Sequence, residues 1–199
     1  MITEAEKFER DNIITINPNT SPKVFKSIQD ITDAEFGDIF ADKILGATDN
    51  VIIAPDLGSA LVDEAASAVA LVEHDSVIGY SYAVDIAKFD PVRSVEQGKT
   101  AYLYLTVLDK NFRGKGKVGF LTDELFRNLL KKGYTHVERD CKTISKDGNE
   151  GYADKVQRHY SDLPGAIEYI SEDRVRFEDV GPERLFRMNI AKSLARHYY

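Results

Sequence analysis

The sequence predicts a mixed α/β domain, α+β-like, on a mostly antiparallel sheet with one parallel crossover and flanking helices. Three observations carry this prediction. The run Thr100 to Leu108 has the β-branched and aromatic content of a strand. After a basic, glycine-containing loop, Val118, Leu121, Leu125 and Leu129 form an apolar helical stripe supported by Phe126. His136 to Cys141 then reads as another strand, so strand, helix and strand make one crossover unit.

The other elements follow in chain order. Ile13 to Ile16 reads as a short strand ended by Asn17-Pro18-Asn19. Phe25, Ile28 and Ile31 have helical spacing, and so do Phe36, Ile39, Phe40 and Leu45, with Asp33 as their expected N-cap. Val51 to Ala54 is too short to assign. Ala66–Glu73 and Val77–Ile86 flank the turn-like His74-Asp75-Ser76 and read as a hairpin. An irregular connection around Phe89-Asp90-Pro91 leads to Thr100. Strict alternation there puts Ala101, Leu103, Leu105 and Val107 on one face and Tyr102, Tyr104, Thr106 and Leu108 on the other. The long helix spans Lys117 to Lys132, with Lys131 and Lys132 at the negative end of its dipole and Gly133 after it. Tyr152 to Tyr160 looks helical and stops at Leu163-Pro164-Gly165. Val175–Phe177 and Leu185–Ile190 read as final strands joined through Gly181-Pro182.

Composition narrows the function classes. At 199 residues, a single domain over 1–199 is expected, with 1–60 as a less readable helical part. Lys and Arg number 26 against 33 Asp and Glu, a net charge of -7 that disfavours bulk nucleic-acid binding. One cysteine, Cys141, gives no internal disulfide framework, and four scattered histidines lack metal-ligand spacing, so no metal is expected. No stretch approaches the roughly 18 apolar residues of a membrane span. The first residues lack the apolar core of a leader, so a cytoplasmic protein is expected.

The segment from Asp109 to Gly119 stands out. Lys110, Arg113, Lys115 and Lys117 gather positive charge in an acidic chain, and Gly114 and Gly116 clear side chains from the backbone. The loop feeds a helix N-terminus, where unpaired N–H groups and the dipole favour an anion. Free donors, cations and room describe a phosphate or diphosphate cradle. Its spacing fits neither the Walker A loop nor the dinucleotide fingerprint.

At these residues the chain resembles the GNAT superfamily of N-acetyltransferases. Their signature, Gln/Arg-x-x-Gly-x-Gly/Ala, is matched by Arg113, Gly114, Lys115, Gly116 and Lys117 in its first five places. Its sixth place is Val118 here, with Gly119 one residue later. The resemblance is strongest over Val77 to Gly133. It implies acetyl-CoA as cosubstrate, held at its diphosphate by backbone N–H groups from Arg113 to Gly119, including those of Lys115, Lys117 and Val118. It implies that Val107 and Leu108 pair with the pantetheine arm, and that the fourth and fifth strands splay to admit the thioester. An amine would attack directly in a ternary complex. Where the family's pattern is Asn-x-x-Ala-x-x-x-Tyr, this chain has Ala153, Val156 and Tyr160, so the Asn and Ala do not match and the Tyr does; that match makes Tyr160 the expected acid, with Tyr152 and His159 as competitors. Tyr104 occupies the strand position where the family often has a Glu base, and Glu138 or Asp140 is the carboxylate alternative, acting through water. The acceptor is an amine, on a small molecule or a protein. A fold that binds without catalysis, or one that uses another acyl-CoA, is the alternative.

Outside that signature, His74 and His136 are expected to be exposed, and Cys141 reads as an incidental or core thiol. Lys155 and Arg158 are within reach of a ribose phosphate or simply solvated. Glu168, Glu172, Asp173, Glu178 and Asp179 either border an acceptor cleft or form plain surface charge. The N-terminal part either covers the cleft or makes a homodimer contact; periodicity does not choose between them.

Overall fold

The computed structural model describes residues 12–36, 58, 61–62, 65–88, 99–144, 151–175 and 181–195. The expectations at Ile39, Phe40, Leu45, Val51–Ala54, Phe89-Asp90-Pro91, Phe177, Glu178 and Asp179 lie outside these residues.

In chain order the elements are β1 (Ile13–Thr15), α1 (Pro22–Phe36), β2 (Ala65–Glu73), β3 (Ser76–Asp85), β4 (Thr100–Leu108), α2 (Lys117–Lys131), β5 (His136–Lys142), α3 (Tyr152–His159), β6 (Ile167–Ile170), β7 (Arg174–Val175), β8 (Pro182–Asn189) and α4 (Ile190–Ser193). The strands form one sheet in the order β1-β2-β3-β4-β5-β8-β6, with β7 also paired to β8. Every pairing is antiparallel except β4 with β5, which the α2 crossover makes parallel.

Two apolar layers cover the sheet. On one face Leu121, Leu125, Phe126 and Leu129 of α2, with Ala153 and Val156 of α3, pack on Val69, Leu71, Ala101, Leu103 and Val137. On the other, Ile28 and Ile31 of α1 pack with Ala68, Ala70, Tyr80, Tyr82 and Val84. Pro22 opens α1 at the helical position where its missing N–H costs nothing. The β2–β3 hairpin turns through His74 and Asp75, whose φ values of 49° and 62° suit the mirror-image turn that matches strand twist.

The strand β4 departs from the expected alternation. Tyr82 pairs with Leu105 and Ala83 with Leu103, so Tyr104 is an extra residue on β4, a β-bulge. One inserted residue reverses the facing of everything after it. Ala101 and Leu103 face α2, whereas Leu105 and Val107 join Tyr102 and Tyr104 on the α1 side. The bulge also explains the sheet's opening. Pairing of β4 with β5 covers only Thr100–His136, Ala101–Val137 and Tyr102–Glu138. Beyond Tyr102, where the bulge bends β4, the strands part.

Three other expectations are corrected. Asp33 caps no helix: it lies inside α1, where its carboxylate accepts a hydrogen bond from Gln29 Nε2 at 2.7 Å. Pro22 starts the helix earlier, and no breaker interrupts it before Asp33. Ile190 does not extend β8 but opens α4, because the Asn189 side chain caps it by accepting from the Lys192 N–H. The sequence pattern signals no strand at β6. The strand is only four residues long, and neighbouring carboxylates obscure its period.

Candidate active site

The strand–loop–helix joint is assembled locally. Asp109 ends β4 and its carboxylate accepts from the Asn111 N–H at 2.8 Å, closing a short helical turn over Lys110–Phe112. Arg113 folds back: its Nε donates to the Leu108 carbonyl at 2.9 Å and its Nη2 meets the Glu35 carboxylate of α1. The Arg113 side chain thus braces β4 against α1 and does not face the loop's open side. Gly114 and Gly116 follow with φ of 80° and 74°, a left-handed backbone that suits glycine. A Cβ at either would meet no heavy atom within 4 Å. Gly116 is the N-cap of α2, and no side chain caps that end.

The amide inventory is narrower than the signature implies. The Arg113 N–H donates to Lys110 O at 3.4 Å, and the Gly119 N–H to Gly116 O at 2.8 Å. Within the described structure, no hydrogen bond draws on the amides of Gly114, Lys115, Gly116 or Val118. Uncapped donors at the positive end of a 15-residue helix are a ready anion site.

A cleft of about 190 Å³ opens beside this joint. Gly116, Gly119 and Thr122 line one side, Tyr152, Val156 and Tyr160 of the α3 region the other, and Arg139 of β5 is part of the wall. The start of α3 is fixed against β5: the Gly151 N–H donates to Thr143 O at 3.0 Å, and a Cβ on Gly151 would lie 2.3 Å from Lys142 O. Val156 and Ala153 pin the helix to the core, which turns Tyr160, its C-cap, inward at 4% exposure. The His159 ring packs edge-on against Tyr160 at 4.8 Å. Lys155 and His159 also line the cleft, and Arg158 is exposed on the same helix.

Arg139 is the feature the sequence reading missed. It is 5% exposed, its guanidinium lies 4.9 Å from the centre of the Tyr152 ring, and its Nε has no hydrogen-bond partner. Burial works against its charge, but the Cys141 thiol and the Tyr152 and Tyr160 hydroxyls outweigh that and hold the guanidinium above its ordinary range. Burial likewise pushes the Cys141 thiol up, with Arg139 opposing. The available signal was an arginine on the same strand face as Val137 and Cys141, a face otherwise apolar.

The other face of the gap carries different chemistry. Tyr102 Oη donates to Asp140 Oδ2 at 2.7 Å across the diverging strands. Tyr104 stacks on Tyr82 at 5.3 Å and meets Tyr102 edge-on at 6.4 Å. Glu138 is 1% exposed and lies 3.6 Å from Arg187 Nη1. Strand alternation therefore sets Glu138 and Asp140 opposite Arg139 and the Tyr160 cleft. His136 is half-buried and pairs with Glu168 at 3.0 Å. Asp173 pairs with Arg184 at 2.5 Å and Glu168 lies 4.0 Å from Arg187 Nε, so both carboxylates belong to ion pairs. Beyond Tyr102, no described strand pairs with the β5-facing edge of β4. Leu108 contributes its carbonyl to Arg113, and Val107 is buried.

No family model matches the sequence, and no curated protein matches it. Solved structures do. The aminoglycoside 6'-N-acetyltransferase from Enterococcus faecium superposes with a TM-score of 0.58 at 14% identity, over 89% of this chain and 96% of that one. An aminoglycoside 6'-N-acetyltransferase complexed with coenzyme A gives 0.54 at 16% identity, over 89% and 96%. A chain of the NatC complex bound to Gag peptide and CoA gives 0.56 at 13% identity, over 89% and 98%. An acetyltransferase of GNAT family from Staphylococcus aureus gives 0.52 at 17% identity, over 90% and 98%, and the chain shares the fold of these proteins; here that fold is a mixed sheet with one parallel pair and helices on both faces. At these identities the likeness concerns the fold.

Proposed function

We propose that the protein is an N-acetyltransferase that uses acetyl-CoA and transfers its acetyl group to a primary amine by direct attack. One observation carries the reading: the open amides of Gly114, Lys115, Gly116 and Val118 line up at an uncapped helix end beside a cleft that runs to Tyr160. A doubly charged diphosphate fits such donors. The edge of β4 beyond Tyr102, with which no described strand pairs, suits an amide-bearing arm that adds like a strand.

In this reading each side chain has a defined task. Tyr160 gives its hydroxyl proton to the departing thiolate, a role suited to a phenol at neutral pH. On the opposite face, Asp140 takes the proton of the amine, directly or through water, and Tyr102 holds its carboxylate in place. Glu138 supports this wall through Arg187, and Tyr104 shapes the acceptor side through the bulge. The tyrosine-lined, acidic face favours a cationic acceptor.

The test is free-thiol release from acetyl-CoA in the presence of a panel of polyamines, aminoglycosides and peptide N-termini. Acceptor-dependent release with acetylated product by mass spectrometry is expected. Tight CoA binding without transfer to any amine would overturn the catalytic assignment and leave a binding protein.

A further inference from the structure

Replacing water around a guanidinium with protein costs several kcal/mol unless a counter-charge meets it. Arg139 is in that position. It is almost wholly buried, its Nε is unsatisfied, and no carboxylate among the described residues forms an ion pair with it. Its described partners are the Tyr152 ring and hydroxyl, the Cys141 thiol and the Tyr160 hydroxyl, none of them a carboxylate. An apolar side chain there would pack with Val137 and Cys141 without that cost. The guanidinium does have an outlet, since it lines the same cleft as Gly116 and Gly119.

We propose that Arg139 is a buried receptor for the diphosphate of the CoA thioester, completing from the β5 side the cradle whose other wall is the α2 N-terminus. This rests on the acyl-CoA reading. Four open amides supply single donors, whereas a diphosphate carries several oxygens and two charges. The planar fork of an arginine matches paired phosphate oxygens. The cradle is thus two-sided, with amides from one layer and a guanidinium from the sheet.

The decisive experiment compares the wild type with Arg139→Met and Arg139→Lys. Calorimetry measures CoA and 3'-dephospho-CoA, and ligand-observed NMR measures S-acetylpantetheine, which lacks the diphosphate. Arg139→Met is expected to weaken CoA and 3'-dephospho-CoA alike, by about ten- to a hundredfold, the value of a charge-assisted hydrogen bond or pair of them. S-acetylpantetheine binding should be unchanged, and Arg139→Lys should fall between. Urea unfolding checks that the methionine variant is folded, so that its affinity is read on native protein. Unchanged CoA affinity overturns the proposal. So does an equal loss for S-acetylpantetheine. A wild type that binds no CoA removes the functional reading itself, whereas CoA binding that is indifferent to Arg139 removes only this inference.

Discussion

Replacing Gly116 with alanine separates what the loop does for the fold from what it does for the ligand. Gly114 is the internal control. Both residues have positive φ, 80° and 74°, and at both an added Cβ meets nothing within 4 Å. The left-handed backbone costs an L-residue roughly 1–2 kcal/mol, partly offset by a stiffer unfolded chain worth about 0.4–1 kcal/mol. Each variant should therefore lose about 1 kcal/mol in urea unfolding, and the two should match. Binding should not match. Gly116 lines the cleft and Gly114 does not, so only the Gly116 methyl takes space from a phosphate oxygen. Losing one charge-assisted hydrogen bond, about 1.5–3 kcal/mol, predicts acetyl-CoA affinity reduced about ten- to a hundredfold by Gly116→Ala. Gly114→Ala, which keeps its amide donor and whose methyl lies outside the cleft lining, should lose less in the same calorimetric titration. Equal losses of affinity in the two variants, or none in either, would refute the placement of the diphosphate against Gly116.

Tyr160→Phe should lower kcat about a hundredfold, the usual scale for a positioned acid, with little change in the KM for acetyl-CoA; an unchanged kcat in steady-state assays would remove Tyr160 from the chemistry. Alkaline titration should expose the buried tyrosines. Burial raises the Tyr80 pKa above its unfolded value, with the Thr32 hydroxyl opposing and Asp33 adding to the shift, so stability is held below about pH 10 and falls as pH rises beyond it; urea midpoints that stay level up to about pH 11 would contradict this. Phe126→Ala, fully buried on the sheet-facing side of α2, should cost about 3–5 kcal/mol in chemical unfolding, and a loss below about 1 kcal/mol would mean the site collapses around the deletion.

The long-range plan of the chain was legible because its signals are local and strong. The apolar stripe of α2, the aromatic run of β4 and the His74-Asp75 turn each specify an element without help from the rest of the fold. The basic glycine segment likewise announced its joint. The bulge at Tyr104 was not legible, since no glycine or proline marks it; it is set by how β3 and β4 pair. That single residue changed the predicted facing of Leu105 and Val107, and the pairing of β4 with β5 ends just before it, at Tyr102. Two amides in the signature, those of Arg113 and Gly119, proved to be spent inside the turn, which depends on backbone angles and not on residue type. Nothing in the sequence sets Arg139 apart as a ligand group; burial distinguishes it from Arg187, which faces a carboxylate.

Backbone amide NMR during an acetyl-CoA titration addresses the anion cradle at its donors. The amide protons of Gly114, Lys115, Gly116 and Val118 should shift and gain protection from exchange as the ligand saturates, while Gly119, already bonded to Gly116, should move little. Saturable binding that leaves those four signals unmoved would place the ligand elsewhere and contradict the account.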